Sequence, residues 1–175
     1  MRLLFWTATW VLVLDQVTKL TVLLGVFGFS WAQLRPSDGV LPYAPEEKVF
    51  PPFLVLRMAW NRGVNFGIGA GLDMRWVLVA VALVISAAVV IWLWRSGATK
   101  WGYIAGGVLV GGALGNVLDR IIYGAVADFL NMSCCGFQNP YAFNVADVAI
   151  FVGAIGLALL PDGSAKKPRK SRAKG

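Results

Sequence analysis

The 175-residue chain contains no histidine and only two cysteines, which lie side by side at positions 134 and 135. Without histidine, neither a Ser-His-Asp triad nor a Cys-His pair can be assembled from this chain. Two cysteines supply too few ligands for a zinc site, and adjacent cysteines form a disulfide only with strain. We therefore treat Cys134 and Cys135 as incidental and expect any chemistry to depend on carboxylates.

Charged residues are scarce, at 14% of the chain, whereas hydrophobic residues make up 58%. Soluble domains are typically about 45–50% apolar, so this composition indicates a membrane protein. A helix needs roughly 20 apolar residues to cross a bilayer. Four stretches reach or approach that length, and they run over residues 3–27, 76–94, 101–122 and 141–160. The sequence therefore predicts an all-α polytopic membrane protein with four transmembrane helices.

Arg2 precedes the first apolar stretch, Arg95 and Lys100 lie in the short link after the second, and six basic residues lie in the tail after residue 161. The positive-inside rule places all three in the cytoplasm, so both termini are cytoplasmic and residues 28–75 and 123–141 face outward. We assign residues 1–161 to one membrane domain and residues 162–175 to a basic, disordered tail. Attraction to anionic membrane lipids accounts for the net charge of +7, and we expect no nucleic-acid partner.

The first apolar stretch contains Asp15 and Lys19, which share one helical face. A basic start and an apolar run also fit a cleaved signal peptide, but these two charges interrupt the run and apolar residues resume after them. We therefore expect a retained helix. Asp15 and Lys19 either form an ion pair that lets both charges enter the membrane, or they anchor neighbouring polar groups.

The outward-facing residues 28–75 contain the turn patterns RPSDG and APEEK, and FLVLRMAW at 53–60 predicts a strand. Repeated glycines from Gly63 onward indicate an irregular backbone. A segment of this size is too small for an independent core, so we expect it to lie against the helix bundle.

The third apolar stretch carries glycines at four-residue intervals, at positions 107, 111 and 115. Such a stripe lets another helix approach closely, and packing is its simplest explanation. The stretch ends in GNVLDR, which places Asn116, Asp119 and Arg120 on one helical face. Asp119 and Arg120 can pair with each other, yet two charges and an amide exceed what packing requires.

Asp128 follows the third stretch and Asp147 opens the fourth, with an outward loop between them. Because these helices run antiparallel, we expect both carboxylates at the same membrane level. Two carboxyl groups brought close together share a proton, so one activates water and the other protonates a carbonyl oxygen. This is the chemistry of an aspartic protease, and it needs neither metal nor cofactor. Asn144, one turn before Asp147, either caps the helix or orients a carboxylate or substrate.

These residues leave two other functions open. A small proton-coupled transporter or channel would place its carboxylates along a path through the bilayer. A non-catalytic assembly protein would use the glycine stripe to bind another helix, but Asp128 and Asp147 would then have no purpose.

Five sequence blocks together resemble the lipoprotein signal peptidases, also called signal peptidase II. They are DQVTK at 15–19, NRGVNF at 61–66, GNVLDR at 115–120, GAVADF at 124–129 and FNVADVAI at 143–150. The resemblance implies an aspartic endopeptidase of the bacterial inner membrane that cleaves diacylglyceryl-modified prolipoproteins just before the lipidated cysteine. The catalytic pair of the family matches Asp128 and Asp147. Supporting or substrate-binding positions match Asp15, Lys19, Asn61, Gly63, Phe66, Asn116, Asp119, Arg120 and Asn144.

The resemblance also implies a fold and partners. We expect four transmembrane helices with a small extracytoplasmic β-rich cradle, an amphipathic segment and an active site on the extracytoplasmic side. Expected partners are prolipoproteins, membrane lipids and globomycin-type inhibitors, and the chain is expected to act as a monomer. Two positions depart from the usual family pattern, Asn65 and Ala127, and both concern substrate contacts rather than the aspartates.

Overall fold

In a computed structural model of the chain, the described residues are 1–44, 46–51, 53–63 and 74–159. These ranges contain five α-helices and three strands. The helices are α1 (Arg2–Leu20), α2 (Trp31–Leu34), α3 (Met74–Ser96), α4 (Lys100–Tyr123) and α5 (Val145–Leu159), and the strands are β1 (Glu47–Phe50), β2 (Leu54–Asn61) and β3 (Val126–Asn131). The predictions for Asn65, Phe66 and the tail at 162–175 lie outside the described residues.

Three helical segments are long and apolar enough to cross a membrane, Arg2–Val26, Met74–Ser96 and Lys100–Tyr123. The first combines α1 with a π-helical extension, Thr21–Val26. Within the described residues, helix α5 has 15 residues, a length of about 22 Å, against about 30 Å of hydrocarbon. The prediction of a helical membrane protein is thus confirmed for three apolar helices in the described part of the chain.

Helix α5 begins at Val145, directly after the possible cap Asn144, although the fourth apolar stretch starts at residue 141. The backbone of Phe143 is bonded to β3, donating to the carbonyl of Leu130 at 2.9 Å and accepting from its N–H at 2.8 Å. These bonds require extended backbone, so the helix starts at Val145 rather than at residue 141.

Helix α4 occupies the centre of the bundle, because it packs against α1, α3 and α5. Its glycines make this possible. A Cβ on Gly107 would lie 2.7 Å from the carbonyl oxygen of Leu4, and one on Gly111 would lie 2.6 Å from that of Ala8. The glycine stripe therefore packs against α1 within the chain, which confirms the packing interpretation.

The three strands form one antiparallel sheet in the order β1–β2–β3. Strand β2 confirms the strand predicted near 53–60. Strand β3 lies where the sequence predicted only a loop, and that prediction was wrong. Ala59 pairs with Asp128, and Asn61 pairs with Val126. Asn61 and Asp128 are therefore diagonal neighbours on one face of the sheet.

The segment between α1 and β1 lies against the sheet and the helix ends, as predicted. Ser30 and Gln33 form a reciprocal cap at the start of α2. Leu34 is fully buried and belongs to a core cluster with Leu23 and Tyr123. This cluster joins the π-helical extension of α1 to α2 and α4, and it also contains Met58 of β2 and Ala127 of β3.

Candidate active site

Asp128 lies on β3 and is only 4% exposed. Its Oδ1 accepts a 2.6 Å hydrogen bond from Nδ2 of Asn144. Asn61, its diagonal neighbour on β2, also donates a side-chain hydrogen bond to it. The strand backbone and two amides therefore fix a carboxylate that burial keeps almost entirely from solvent.

Asp147 lies in the first turn of α5 and is partly exposed. Its Oδ1 accepts a 2.8 Å bond from Nδ2 of Asn116, and its Oδ2 accepts a 3.1 Å bond from the backbone N–H of Asn144. Both oxygens are thus oriented by donors from α4 and from the residue that precedes α5.

Asn144 links the two aspartates. Its Oδ1 accepts the backbone N–H of Asp147 at 2.9 Å, which is the capping geometry at a helix start. Its Nδ2 reaches Asp128 and also lies 3.2 Å from Oδ1 of Asn116. Both interpretations of Asn144 therefore hold at once, and the carboxylate that its side-chain amide contacts is Asp128 rather than Asp147.

Lys19 is 1% exposed and makes three contacts inside the bundle. Its Nζ lies 2.8 Å from Oδ2 of Asp15, 2.8 Å from Oδ2 of Asp119 and 3.3 Å from Oδ1 of Asn116. Since Asn116 also bonds Asp147, the ammonium is one residue away from the aspartate pair. Asp15 and Lys19 thus form an ion pair and also anchor neighbouring polar groups.

Asp15 also reaches across to α5. Its Oδ1 accepts the backbone N–H of Ala146 at 2.9 Å, in the first turn of that helix. A carboxylate at a helix N-terminus accepts a hydrogen bond from a backbone N–H that has no partner within the helix, and it interacts favourably with the helix dipole. Gly115 leaves room for this carboxylate, because a Cβ there would overlap Oδ2 of Asp15. Asp15 therefore ties α1 to the turn that carries Asp147.

Asp119 does not pair with Arg120, as the sequence suggested it can. Its Oδ2 pairs with Lys19 and accepts the backbone N–H of Ala127 at 3.1 Å. The reason is the bundle geometry, which brings the Lys19 ammonium of α1 against α4. Arg120 instead donates from Nη1 to the carbonyl oxygen of Asn116 at 3.1 Å, within electrostatic reach of Asp128.

The block at 61–66 is described only in part. Gly63 has a φ of +99°, which favours glycine, and its N–H donates to Oδ1 of Asn61 at 3.0 Å. Asn61 thereby holds the turn as well as contacting Asp128. Phe66 lies outside the described residues. The departure Ala127 is fully buried and contributes its backbone N–H to Asp119.

Gln16 also belongs to this polar cluster, although it was not among the predicted site residues. Its Nε2 donates to Oδ1 of Asp119 at 2.9 Å and to Oδ2 of Asp15 at 3.1 Å. Gln16 thus joins the two carboxylates that flank Lys19. The available signal was its position inside the DQVTK block, between two residues already identified as candidates.

Burial raises the pKa of Asp128 from its ordinary 3.8 to about 7, and the nearby negative charge of Asp147 adds to that rise. Hydrogen bonds from Asn61 and Asn144 oppose the rise. At neutral pH Asp128 therefore holds its proton for much of the time. The pair provides one carboxyl able to donate a proton beside a second that accepts hydrogen bonds on both oxygens.

The arrangement favours hydrolysis over transport. In the described ranges, four aspartates form one connected cluster rather than a series along a path through the bundle. Its members are Asp15, Asp119, Asp128 and Asp147, linked through Lys19, Asn116 and Asn144. Among the same residues, no group of three or more His, Cys, Asp or Glu side chains is placed to bind a metal.

Similarity to known proteins agrees with this chemistry. The family described as signal peptidase (SPase) II matches residues 7–160. The chain belongs to the signal peptidase II family. It is therefore a peptidase, and the resemblance seen in the five sequence blocks is confirmed.

Members of the signal peptidase II family from several bacteria are similar over most of their length. The lipoprotein signal peptidase of Methylobacterium radiotolerans is 41% identical, over 94% of this chain and 88% of that protein. That of Rhodopseudomonas palustris is 42% identical, over 83% of each chain, and that of Pseudomonas putida is 37% identical, over 88% of this chain and 83% of the other.

Two solved structures, both described as bacterial membrane enzymes, share the fold of this signal peptidase II. One has a TM-score of 0.65 and 27% identity, covering 95% of this chain and 93% of that chain. The other has a TM-score of 0.67 and 25% identity, covering 89% of each. The described helices and sheet therefore belong to an architecture found in membrane enzymes.

Proposed function

We propose that this chain removes the signal peptides of diacylglyceryl-modified bacterial prolipoproteins, cleaving just before the lipidated cysteine. Asp128 and Asp147 are the proposed catalytic carboxylates. The observation that carries this proposal is the asparagine bridge, in which Asn144 bonds Asp128, Asn116 bonds Asp147, and the two amides bond each other. Similarity to proteins named lipoprotein signal peptidase supports the substrate class.

The different surroundings of the two carboxylates support different tasks. Asp128, with a pKa raised to about 7 by burial, retains a proton near neutral pH and is the proposed general acid. Asp147 is partly exposed and accepts a hydrogen bond on each oxygen, which suits a base that activates water.

The proposed reaction has two steps. Asp147 takes a proton from water as the water oxygen attacks the scissile carbonyl carbon, while Asp128 donates its proton to the carbonyl oxygen. The tetrahedral intermediate then collapses as its carbon–nitrogen bond breaks. The departing amine receives the proton held by Asp147, and Asp128 recovers a proton from a hydroxyl of the intermediate. The cycle thus returns both carboxyl groups to their starting states.

The remaining family positions are proposed to hold the pair or to contact the substrate. Asp15, Lys19 and Asp119 act as the buried support, since their contacts run to Asn116 and to the first turn of α5. Arg120 and the 61–66 block, with Asn61, Gly63 and Phe66, are the proposed substrate contacts.

The proposed membrane arrangement has four spans, with α5 as the fourth, in the bacterial inner membrane. Both termini are cytoplasmic, and the aspartates lie on the extracytoplasmic side. The distribution of lysine and arginine supports this orientation. We also propose that the chain acts as a monomer, contacts membrane lipids and is inhibited by globomycin-type cyclic peptides.

Cleavage of a purified prolipoprotein tests the proposal. The wild-type chain should process the diacylglyceryl-modified precursor and not the unmodified one, with or without a chelator, and globomycin should block processing. Asp128→Asn and Asp147→Asn should each lower the rate by about 10²–10⁴-fold or more, because each removes one half of the acid–base pair. Asp38→Asn, which changes an exposed aspartate, should retain the wild-type rate. Wild-type cleavage in either Asp128→Asn or Asp147→Asn would refute the assignment.

A further inference from the structure

A cavity of about 280 Å³ lies beside the first turn of α3 and the last turn of α4. Two arginines, Arg35 and Arg75, contribute to its wall, and none of its described lining residues is acidic. Neither Asp128 nor Asp147 lines it, so it is separate from the candidate active site.

Arg35 is held at the cavity by the residue before it. Leu34 ends α2 and is fully buried in the core cluster, which fixes the backbone from which Arg35 projects. Arg35 itself is exposed and lines the cavity together with Tyr123 of α4. The Arg35 side chain is therefore accessible at the cavity wall, whereas the neighbouring Leu34 is buried in the core.

Arg75, in the first turn of α3, also lines the cavity. Its guanidinium lies 4.8 Å from the ring centre of Trp76, and its Nη1 lies 3.4 Å from the position of a Cβ on Gly124. Gly124 has a φ of +81° and terminates α4. The guanidinium is thus packed beside the end of one helix and over an aromatic ring, a geometry that restricts its motion.

Neighbouring charges make the surroundings more positive. Arg62 donates from Nη2 to the carbonyl oxygen of Gly39 at 2.9 Å, and Gly39 is part of the cavity wall. Asp38, the acidic residue next to it, uses Oδ1 to accept the N–H of Val40 and lines a neighbouring cavity instead. Three arginines therefore lie in or against the wall of this cavity.

The cavity opens where two membrane-spanning helices end. Helices α3 and α4 are consecutive antiparallel neighbours, and both are apolar enough to cross a bilayer. Trp76 is 52% exposed at this level, as is common for tryptophan at the membrane–water boundary. The membrane–water boundary is also where lipid phosphate groups lie, and the exposed residues farther along α3 include Val77, Val81 and Val84.

We propose that this cavity binds the phosphate group of an anionic phospholipid, with the acyl chains lying along the apolar face of α3. Exposed Arg35 is the proposed phosphate ligand, because arginine pairs with phosphate through two parallel hydrogen bonds, and the nearby positive charge of Arg75 favours a net negative headgroup over a zwitterionic one. The volume is slightly below the roughly 300–1,000 Å³ of pockets that take whole small molecules, which fits a headgroup alone. The site is independent of the peptide-cleavage chemistry.

Binding to the detergent-purified chain tests this site. Short-chain phosphatidylglycerol, phosphatidylcholine with the same chains, and inorganic phosphate would each be titrated, with thermal stability and native mass spectrometry as readouts. Phosphatidylglycerol should raise the melting temperature and remain bound, and the other two should do so at least about tenfold more weakly. The double variant Arg35→Gln/Arg75→Gln should lose about tenfold or more in affinity, because charged hydrogen bonds are removed.

Lys48→Gln is the matched control, since it removes one exposed charge from β1, outside the cavity. It should bind phosphatidylglycerol like the wild type. Arg35→Gln alone changes an exposed side chain and keeps the fold, so it should give an intermediate loss even if the double variant proves unstable. Equal binding of phosphatidylcholine, equal binding of inorganic phosphate, or undiminished binding by Arg35→Gln would each overturn the lipid site. Cleavage activity is a separate measurement, so a failed lipid site leaves the peptidase proposal intact.

Discussion

Asn144 donates a 2.6 Å side-chain hydrogen bond to Asp128, a residue 16 positions earlier on a different structural element. The same asparagine caps α5 and contacts Asp147 through its backbone. One residue therefore sets the position of both proposed catalytic carboxylates and the start of the helix that carries one of them. Its two contributions, to stability and to the geometry of the pair, can be separated by substitution.

Asn144→Ala should lower both stability and cleavage. Loss of a helix cap costs about 0.5–2 kcal/mol, and Asp128 loses an orienting donor. Asn144→Ser retains a capping oxygen but cannot reproduce the amide bridge to Asp128. We expect the serine variant to recover most of the melting temperature of the wild type while its cleavage rate remains about tenfold or more below it. Recovery of full activity in Asn144→Ser would show that Asn144 acts only as a helix cap and that its hydrogen bond to Asp128 is not needed for cleavage.

Asp128→Asn should stabilise the protein above neutral pH. The pKa of Asp128 is about 7 in the folded protein, against an ordinary value of 3.8, so the folded state binds the proton more tightly between these pH values. Stability of the wild type therefore falls as pH rises from about 4 to about 7, and the asparagine variant lacks this loss. Its melting temperature should exceed that of the wild type at pH 8, by roughly 2–4 °C for each kcal/mol of difference in the free energy of unfolding.

Fluorescence-monitored unfolding in detergent at several pH values between 4 and 8 measures this difference. The advantage of Asp128→Asn should shrink toward pH 4, whereas Asp38→Asn should follow the wild type throughout. A difference between Asp128→Asn and the wild type that does not change with pH would contradict the raised pKa of Asp128.

Lys19→Met should be strongly destabilising. It leaves Asp15 and Asp119, both fully buried, without their shared cation. Removing one partner of a buried ion pair typically costs about 3–5 kcal/mol, because a charge remains buried and uncompensated. Size-exclusion chromatography of a fluorescent fusion would report the loss of folded protein. The triple variant Lys19→Met/Asp15→Asn/Asp119→Asn should recover part of it, and no recovery would argue against charge as the cause.

Gly111→Ala should destabilise the contact between α1 and α4. The added Cβ would lie 2.6 Å from the carbonyl oxygen of Ala8, so the helices must separate, at a cost of about 1–3 kcal/mol. Gly25→Ala provides the control, because no atom lies within 4 Å of the added Cβ at that position. Thermal unfolding of the two variants should differ by several degrees, and equal melting temperatures would show that α1 does not pack tightly on the glycine stripe.

Several features of the fold could be predicted from sequence because their signals are local. The apolar stretches that became α1, α3 and α4 follow from composition, and the four-residue spacing of Gly107 and Gly111 predicted close packing. Strand β3 was not predicted from the sequence. Residues Val126–Asn131 are buried almost throughout, so they do not alternate between exposed and buried positions as a half-buried strand does. The capping interpretation of Asn144 predicted the start of α5 correctly, but the first residues of the fourth apolar stretch are not helical, because Phe143 bonds to β3.

The sequence by itself determined which residues are available for chemistry: no histidine, few charges, and carboxylates set among apolar stretches. It also marked the blocks that identify the family. Only the tertiary structure decided the partners of those residues. Asp119 pairs with Lys19 rather than with Arg120, and Nδ2 of Asn144 bonds the carboxylate of Asp128 rather than that of Asp147. The physical reason is that residue type and helical spacing act along the chain, whereas hydrogen bonds in a buried cluster depend on how separate helices and strands pack together.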